Sequence, residues 1–477
     1  MSGGPGWWGA VSGWKATAGL VAVAVVLGLV AVLGPVGSVS LLAGPLLTIV
    51  IEVATIGLVI GVAGRPRRWW LTWGAAIAAG AALAVGLLWW WVGATGLVDQ
   101  HYPPSFLLWV WVALVALGVA ATGWWNGALF QRAVRVLTVP VAVFAAFLLI
   151  NQHYGYWPTM GALLGRPAPG QVSGHGLARA LARPTTTEIG TFGPITIPGP
   201  SGFAPGAAWV WIPPAFNQVD RGDLSVLVMV PGVPGTPYDW ERAGEVVTLA
   251  NAWAQTHDGV APVMILVTGN GAGDRDTECV NGPQGQAETY LADDVPRFVT
   301  HTLGLPVDPA RWGVVGFSEG GTCALGLALE HPRIYGRFVD IAGDMAPNLG
   351  PNAKTTLLRL YAGNKVAMLE HEPKWLLAHH SYPDTEGWFA GSSTDRTDER
   401  VARILTRWAR AGGMTAFDVS GGAGGHSWTY AAAEFRALYP TLVASMSTPT
   451  TPVPDRHRRK LFIADPGHSS GDDHDKT

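Results

Sequence analysis

The sequence predicts an α/β fold, a mostly parallel sheet with helices on both faces, preceded by an α-helical transmembrane bundle of about five spans. Three observations carry that expectation. Residues 1–150 are nearly free of acidic side chains and crowded with Leu, Val, Ala, Gly and Trp, whereas the remainder has the mixed charge of a water-exposed domain. In the second half, short apolar runs alternate with stretches of helical periodicity. Between one such run and the next helical stretch stands Gly316-Phe317-Ser318-Glu319-Gly320-Gly321.

At 477 residues the chain exceeds one ordinary core. Apolar stretches long enough to span a bilayer run over 16–33, 39–63, 71–92, 106–121 and 134–150. The first is too long for a signal-peptide core and is followed by more spans, so it reads as an anchor. Lys15, Arg65, Arg67, Arg68, Arg132 and Arg135 all fall on one side of the bundle, and the alternate loops, 34–38 and 93–105, have neither Lys nor Arg. By the positive-inside rule the N-terminus is cytoplasmic, the protein is multi-pass in the cell membrane, and everything after residue 150 is extracytoplasmic. Trp69, Trp70, Trp89, Trp90, Trp91, Trp124 and Trp125 lie near span ends, as an interfacial belt requires. Glu52, inside the second span, reads either as a protonated carboxyl bonded within the bundle or as a relay or lipid-headgroup contact.

Residues 151–189 read as a juxtamembrane linker with one short helix at 176–182, residues 190–446 as the α/β domain, and 447–477 as a disordered tail rich first in Ser, Thr and Pro. Strands are expected at 208–212, 224–230, 263–268, 312–317, 338–342, 355–361, 387–390 and 415–419, and helices at 287–303, 320–331 and 397–411. A net charge of −3 provides no basic surface for a phosphate backbone, which sets nucleic-acid partners aside. The two cysteines, Cys279 and Cys323, either pair in an oxidising compartment or stay as separate buried thiols. So few thiols, without His-rich spacing beside them, point to no metal, and nothing points to a cofactor.

A Ser between glycines on a strand-to-helix turn is lifted to the top of the sheet. There the Glu319 amide and the helix N-terminus face a developing oxyanion. Serine needs a base. His426 follows the last strand through Gly421-Gly422-Ala423-Gly424-Gly425, a loop able to reach back over the sheet. The orienting acid is expected after the strand at 387–390, where Asp395 leads. Asp398 and Glu399 compete but also suit the first turn of the next helix, and Asp344 is the outsider. A second oxyanion donor is expected in 230–235, where Pro231 and Pro234 lack amides; Val233 is preferred over Gly232 and Gly235.

At these residues the chain resembles the esterase D and antigen 85 mycolyltransferase family of α/β-hydrolases. The resemblance covers 224–444 and none of the membrane half. It rests on the nucleophile turn, on Glu288-Thr289-Tyr290-Leu291 leading to Val295-Pro296, on Ala328-Leu329-Glu330-His331-Pro332, and most specifically on His426-Ser427-Trp428 with Tyr430. It implies an α/β-hydrolase fold, Ser318 as nucleophile, His426 as base and Trp428 as a wall of the acyl or sugar pocket. Mycolyltransferases use a helical Glu as triad acid, which raises Glu399 as the alternative to Asp395. They also carry a small apolar residue or Met where this chain has Glu319, whose carboxylate near the site would alter substrate choice.

The expected function is a membrane-anchored, extracytoplasmic serine esterase or acyltransferase acting through an acyl-enzyme on acyl-ester, glycolipid or cell-envelope substrates, with membrane lipid as a partner. A catalytically silent binding or envelope-scaffold protein is the alternative, since fold alone does not imply turnover.

Overall fold

The computed structural model describes residues 36–63, 65–95, 104–125, 128–182, 188–199, 203–272 and 275–447. The apolar half forms four helices, α1 (Leu46–Val62), α2 (Arg67–Trp90), α3 (Leu107–Gly123) and α4 (Leu129–Tyr154). Among the described residues only α2 and α4 are long and apolar enough to cross a membrane; α1 and α3 are shorter. The expectation of about five spans is corrected accordingly. The stretch 16–33 lies outside the described residues, as do Lys15 and the tail from 448. The stretch 39–63 loses its first residues to a turn in which Gly44 takes φ 93° and Pro45 starts the helix.

Small residues let these helices approach closely. A Cβ on Gly57 would overlap Thr138 Oγ1, and one on Gly61 would lie 3.2 Å from Arg135 Cγ. Arg135, 3% exposed, donates through Nε to Gly61 O at 2.8 Å and through a terminal nitrogen to Gly123 O at 2.9 Å. It thereby serves carbonyls at the C-terminal ends of α1 and α3, where helices leave acceptors unsatisfied. Glu52 is exposed on α1.

The expected linker is structured. Gly155 ends α4 at φ 73°, Asn151 brackets the peptide of Trp157 with two hydrogen bonds, and a helix occupies Gly174–Ala182. The sheet then begins at β1 (Thr191–Ile195), a strand without a sequence signal, and continues through β2 (Ala208–Ile212), β3 (Val226–Val230), β4 (Val263–Leu266), β5 (Trp312–Phe317), β6 (Arg337–Ile341), β7 (Glu386–Ala390) and β8 (Thr415–Asp418). Its order is β1-β2-β4-β3-β5-β6-β7-β8, antiparallel at β1/β2 and β2/β4 and parallel elsewhere. This is the expected α/β-hydrolase arrangement. The stretch 355–361 is corrected from strand to helix, Ala353–Tyr361, capped by Asn352 and burying Leu360 and Tyr361 on one face.

Every residue of β3 and β5 is buried, as strands covered on both faces require. Chain order reverses around β3, with β4 on one side and β5 on the other. At such a switch the loops beyond the strand ends part and leave a crevice. The segments 230–235 and 316–321 meet there.

Candidate active site

β5 ends at Phe317 and α5 (Glu319–Glu330) begins at Glu319, so Ser318 alone makes the turn, at φ 60° and ψ −125°. A non-glycine residue held there costs about 1 to 3 kcal/mol and persists only where its surroundings over-determine it. They do so here. Ser318 N donates to Ile341 O at 2.9 Å. A Cβ on Gly316 would overlap the Gly320 carbonyl, one on Gly320 the Val230 carbonyl, and one on Gly321 the Asp340 carboxylate. The glycines of the motif are therefore demanded by packing.

His426 arrives from the other side of the sheet. The 421–425 loop uses positive φ at Gly424 (150°) and Gly425 (64°) and is pinned by the segment after β7. Gly425 N donates to Ser392 Oγ and Thr394 Oγ1, both at 2.9 Å, and Ser393 N donates to Gly422 O at 2.9 Å. Next along the chain, Ser427 Oγ accepts from Tyr430 N at 3.2 Å, starting α7 (Trp428–Ser447). The imidazole is thus fixed between a tied loop and a helix N-terminus.

His426 Nε2 lies 2.7 Å from Ser318 Oγ, and His426 Nδ1 lies 2.9 Å from Asp398 Oδ2. The expectation of Asp395, with Glu399 as alternative, is corrected in geometry. Asp395 caps α6 (Arg396–Ala411): its Oδ1 accepts from Thr397 N at 2.9 Å and Asp398 N at 3.3 Å. Glu399 pairs with Arg403 at 2.9 Å. Asp344 is held by Asn348. Asp398, one turn into α6, is the carboxylate that faces the imidazole, and the helix N-terminus favours its charge. Burial pulls the His426 pKa down, but the hydrogen bond and charge of Asp398 outweigh it and hold the imidazole above its ordinary value. Burial likewise keeps the Asp398 carboxyl above its usual range, against the pull of His426. Nδ1 donates to Asp398, which leaves the Nε2 lone pair for the serine hydroxyl.

The two expected oxyanion donors sit on segments that meet at Ser318. Glu319 opens α5, and a Cβ on Gly232, next to Val233, would lie 2.8 Å from Ser318 Cβ and 3.4 Å from its Oγ. The Glu319 side chain departs from expectation. It is 7% exposed, both its oxygens accept from Asn270 Nδ2 at 3.0 and 2.9 Å, and burial pushes its carboxyl well above the ordinary range. It serves the interior and does not face a substrate. Trp428 departs as well: at 2% exposure it packs edge-on against Trp240 and Phe317, at centroid distances of 5.2 and 5.0 Å, and forms no open wall. Cys279 and Cys323 form a disulfide closing a loop of 44 residues and tie α5 to the segment after β4.

Sequence reasoning missed the apolar half's share of this site. The hydroxyl of Tyr156, two residues beyond α4, donates to the carbonyl of Pro234 in the 230–235 loop. Its ring lies 6.4 Å from that of Trp428. Arg242, paired with Asp239, covers the rings of Tyr156 and Trp157 at 5.9 and 5.0 Å. A Cβ on Gly155 would overlap Thr429. The residues just after α4 are thus packed on the 230–235 loop and on the first turn of α7, which follows His426.

Residues 210–442 match the Esterase family model. An uncharacterized protein of Corynebacterium glutamicum is 30% identical over 410 residues, which is 82% of this chain and 94% of the relative. That match is too long to be confined to the residues after α4. The diacylglycerol acyltransferase/mycolyltransferase Ag85A of Mycobacterium ulcerans is 26% identical over 197 residues, 34% of this chain and 57% of that protein. The S-formylglutathione hydrolase of Agrobacterium tumefaciens superposes with a TM-score of 0.46 at 16% identity, covering 55% of this chain and 98% of that one.

Proposed function

Since the chain belongs to the esterase family of α/β-hydrolases, we propose that it is a membrane-anchored, extracytoplasmic serine esterase or acyltransferase that works through an acyl-enzyme on Ser318. The observation that carries this reading is the relay of Ser318 Oγ to His426 Nε2 at 2.7 Å and His426 Nδ1 to Asp398 at 2.9 Å. Ser318 Oγ attacks the ester carbonyl as its proton passes to Nε2. Asp398 holds the tautomer and stabilises the imidazolium. The amides of Glu319 and Val233 receive the oxyanion, each such donor being worth about 3 kcal/mol in the transition state. His426 then protonates the departing alcohol, and the acyl group leaves to water or to a sugar or lipid hydroxyl.

Two observations support a lipid-linked or cell-envelope ester as substrate. The helix α4, apolar enough to cross a membrane, runs directly into the residues packed on the 230–235 loop, so that with α4 in a bilayer the reaction centre would lie at the bilayer end of the domain. The Cys279–Cys323 disulfide fits the oxidising side of that membrane, as does the distribution of Lys and Arg.

The test is to treat the detergent-solubilised full chain with a fluorophosphonate and map the adduct by mass spectrometry. Labelling on Ser318, absent in Ser318→Ala, is expected. A folded protein that takes no label would leave the scaffold alternative standing. Incubation with envelope lipid followed by identification of the acyl group on Ser318 names the donor.

A further inference from the structure

The C-terminal end of α5, about 18 Å of helix from Ser318, carries Glu330 and His331 into a second polar cluster. Glu288, ahead of Tyr290 and Leu291, and His371, just after the helix Lys365–Glu370, complete it. His331 Nε2 lies 2.9 Å from Glu288 Oε1, while His371 Nε2 lies 3.5 Å from Glu288 Oε2 and 3.6 Å from Glu330 Oε1. Donor atoms of Glu288, Glu330 and His331 all fall within 4.8 Å of one another. Four ligands set tetrahedrally about 2.0 to 2.1 Å from zinc have neighbours about 3.3 to 3.4 Å apart. The imidazole-to-carboxylate separations of 2.9, 3.5 and 3.6 Å lie on either side of that value, while the remaining donor pairs have to close onto an ion.

Two independent features point to a cation. His371 Nδ1 is 2.7 Å from the Ala367 carbonyl oxygen, which only accepts, so Nδ1 carries a proton and Nε2 is the nitrogen turned to the carboxylates, the position from which it would ligate an ion on giving up its own proton. A backbone carbonyl in that role is the usual orienting partner of a metal-bound imidazole. Glu330 and His371 also line a cavity of about 10 Å³, the room of one water-sized sphere, together with Glu278. Glu278 is 6% exposed and its Oε2 has no hydrogen-bond partner among the described residues.

We propose that Glu288, Glu330, His331 and His371 form a structural site for one divalent transition-metal ion of the zinc class. The ion staples the far end of the nucleophile helix to two other segments. Two imidazoles and two carboxylates suit zinc, and cobalt as its spectroscopic substitute. Spread over positions 288, 330, 331 and 371, the donors follow no spacing that marks a metal motif in sequence, which is why the sequence alone points to no metal.

The experiment uses the detergent-solubilised full chain, stripped with a chelator and titrated with zinc against a chromophoric competitor. One tight equivalent is expected, lost in His371→Gln and weakened at least about 100-fold, the upper end of what losing even an outer-shell partner costs, in the isosteric Glu330→Gln. Cobalt should give the intense visible bands of a tetrahedral site in the parent and not in the variants. Circular dichroism checks folding, and Glu330→Gln carries the test if His371→Gln does not fold. Histidines of the C-terminal tail bind equally in all forms and cancel. Equal stoichiometry and affinity in parent and variants, or a folded parent that takes no zinc, would overturn the site and leave an ion-pair network of protonated imidazoles.

Discussion

Replacing Asp398 by Asn and, separately, Asp395 by Ala distinguishes catalysis from capping at two carboxylates three residues apart. Asp398 accepts from His426 Nδ1 at 2.9 Å. An amide there presents a donor as readily as an acceptor, so the imidazole loses its enforced tautomer and the countercharge of its protonated form. In serine proteases built on a Ser-His-Asp triad the same change lowers kcat about 10⁴-fold. A fall of about 10³ to 10⁴ is expected here, or about 4 to 5.5 kcal/mol of transition-state stabilisation. Asp395 makes only capping bonds, to Thr397 N and Asp398 N. Its loss costs about 1 kcal/mol of stability. Because α6 is anchored by buried Val401, Ala402, Leu405 and Ala409, the helix stays and kcat should fall no more than about 10-fold. Hydrolysis of a short p-nitrophenyl ester by the full chain gives kcat, and thermal unfolding gives the stability change. The assignment is refuted if Asp395→Ala loses as much activity as Asp398→Asn, or if Asp398→Asn keeps kcat within about 10-fold of the parent.

Three further outcomes follow. The base must be neutral, and His426 titrates above its ordinary value because Asp398 outweighs burial; the rising limb of kcat/KM against pH should therefore lie above the usual histidine range and move to lower pH in Asp398→Asn, and a parent limb below that range contradicts the relay. Tyr156→Phe removes the hydrogen bond to the Pro234 carbonyl; a bond worth about 1 kcal/mol makes kcat for a short soluble ester fall about 5-fold with KM little changed, and an unaltered kcat would show that the oxyanion loop stands without it. Replacing Cys279 and Cys323 by Ser opens a 44-residue loop; about 4 kcal/mol of stability should go, read as a lower Tm that dithiothreitol reproduces in the parent, and an unchanged Tm would refute the contribution.

Most strands that read correctly in sequence are buried on both faces, where apolar runs are short and bounded; β8, largely exposed at the sheet edge, was found by the same bounded run. β1 escaped because it contains Gly193 and Pro194 and lies at the sheet edge, where a missing amide is tolerated. The helix Ala353–Tyr361 was misread because Leu357, Leu360 and Tyr361 follow helical spacing within a run too short to decide by periodicity. Ser318 and His426 were legible because each needs glycines that nothing else in the chain explains. The acid was not: three carboxylates lie within five residues, and only the helix start tells them apart. An N-cap preference read strictly would have spent Asp395 on the helix and left Asp398 free. Tyr156 had no local signal, since its partner Pro234 lies 78 positions away.

The phenol that meets Pro234 also bears on how such a protein should be studied. A truncate starting at the first strand would keep the entire sheet and all three side chains of the relay, yet without Tyr156 the 230–235 loop would lack a prop. Turnover measured on that fragment would describe a slackened catalyst, and a weak or absent signal would say little about the intact one. Detergent or nanodisc preparations are therefore the fair starting material, even for assays on water-soluble esters.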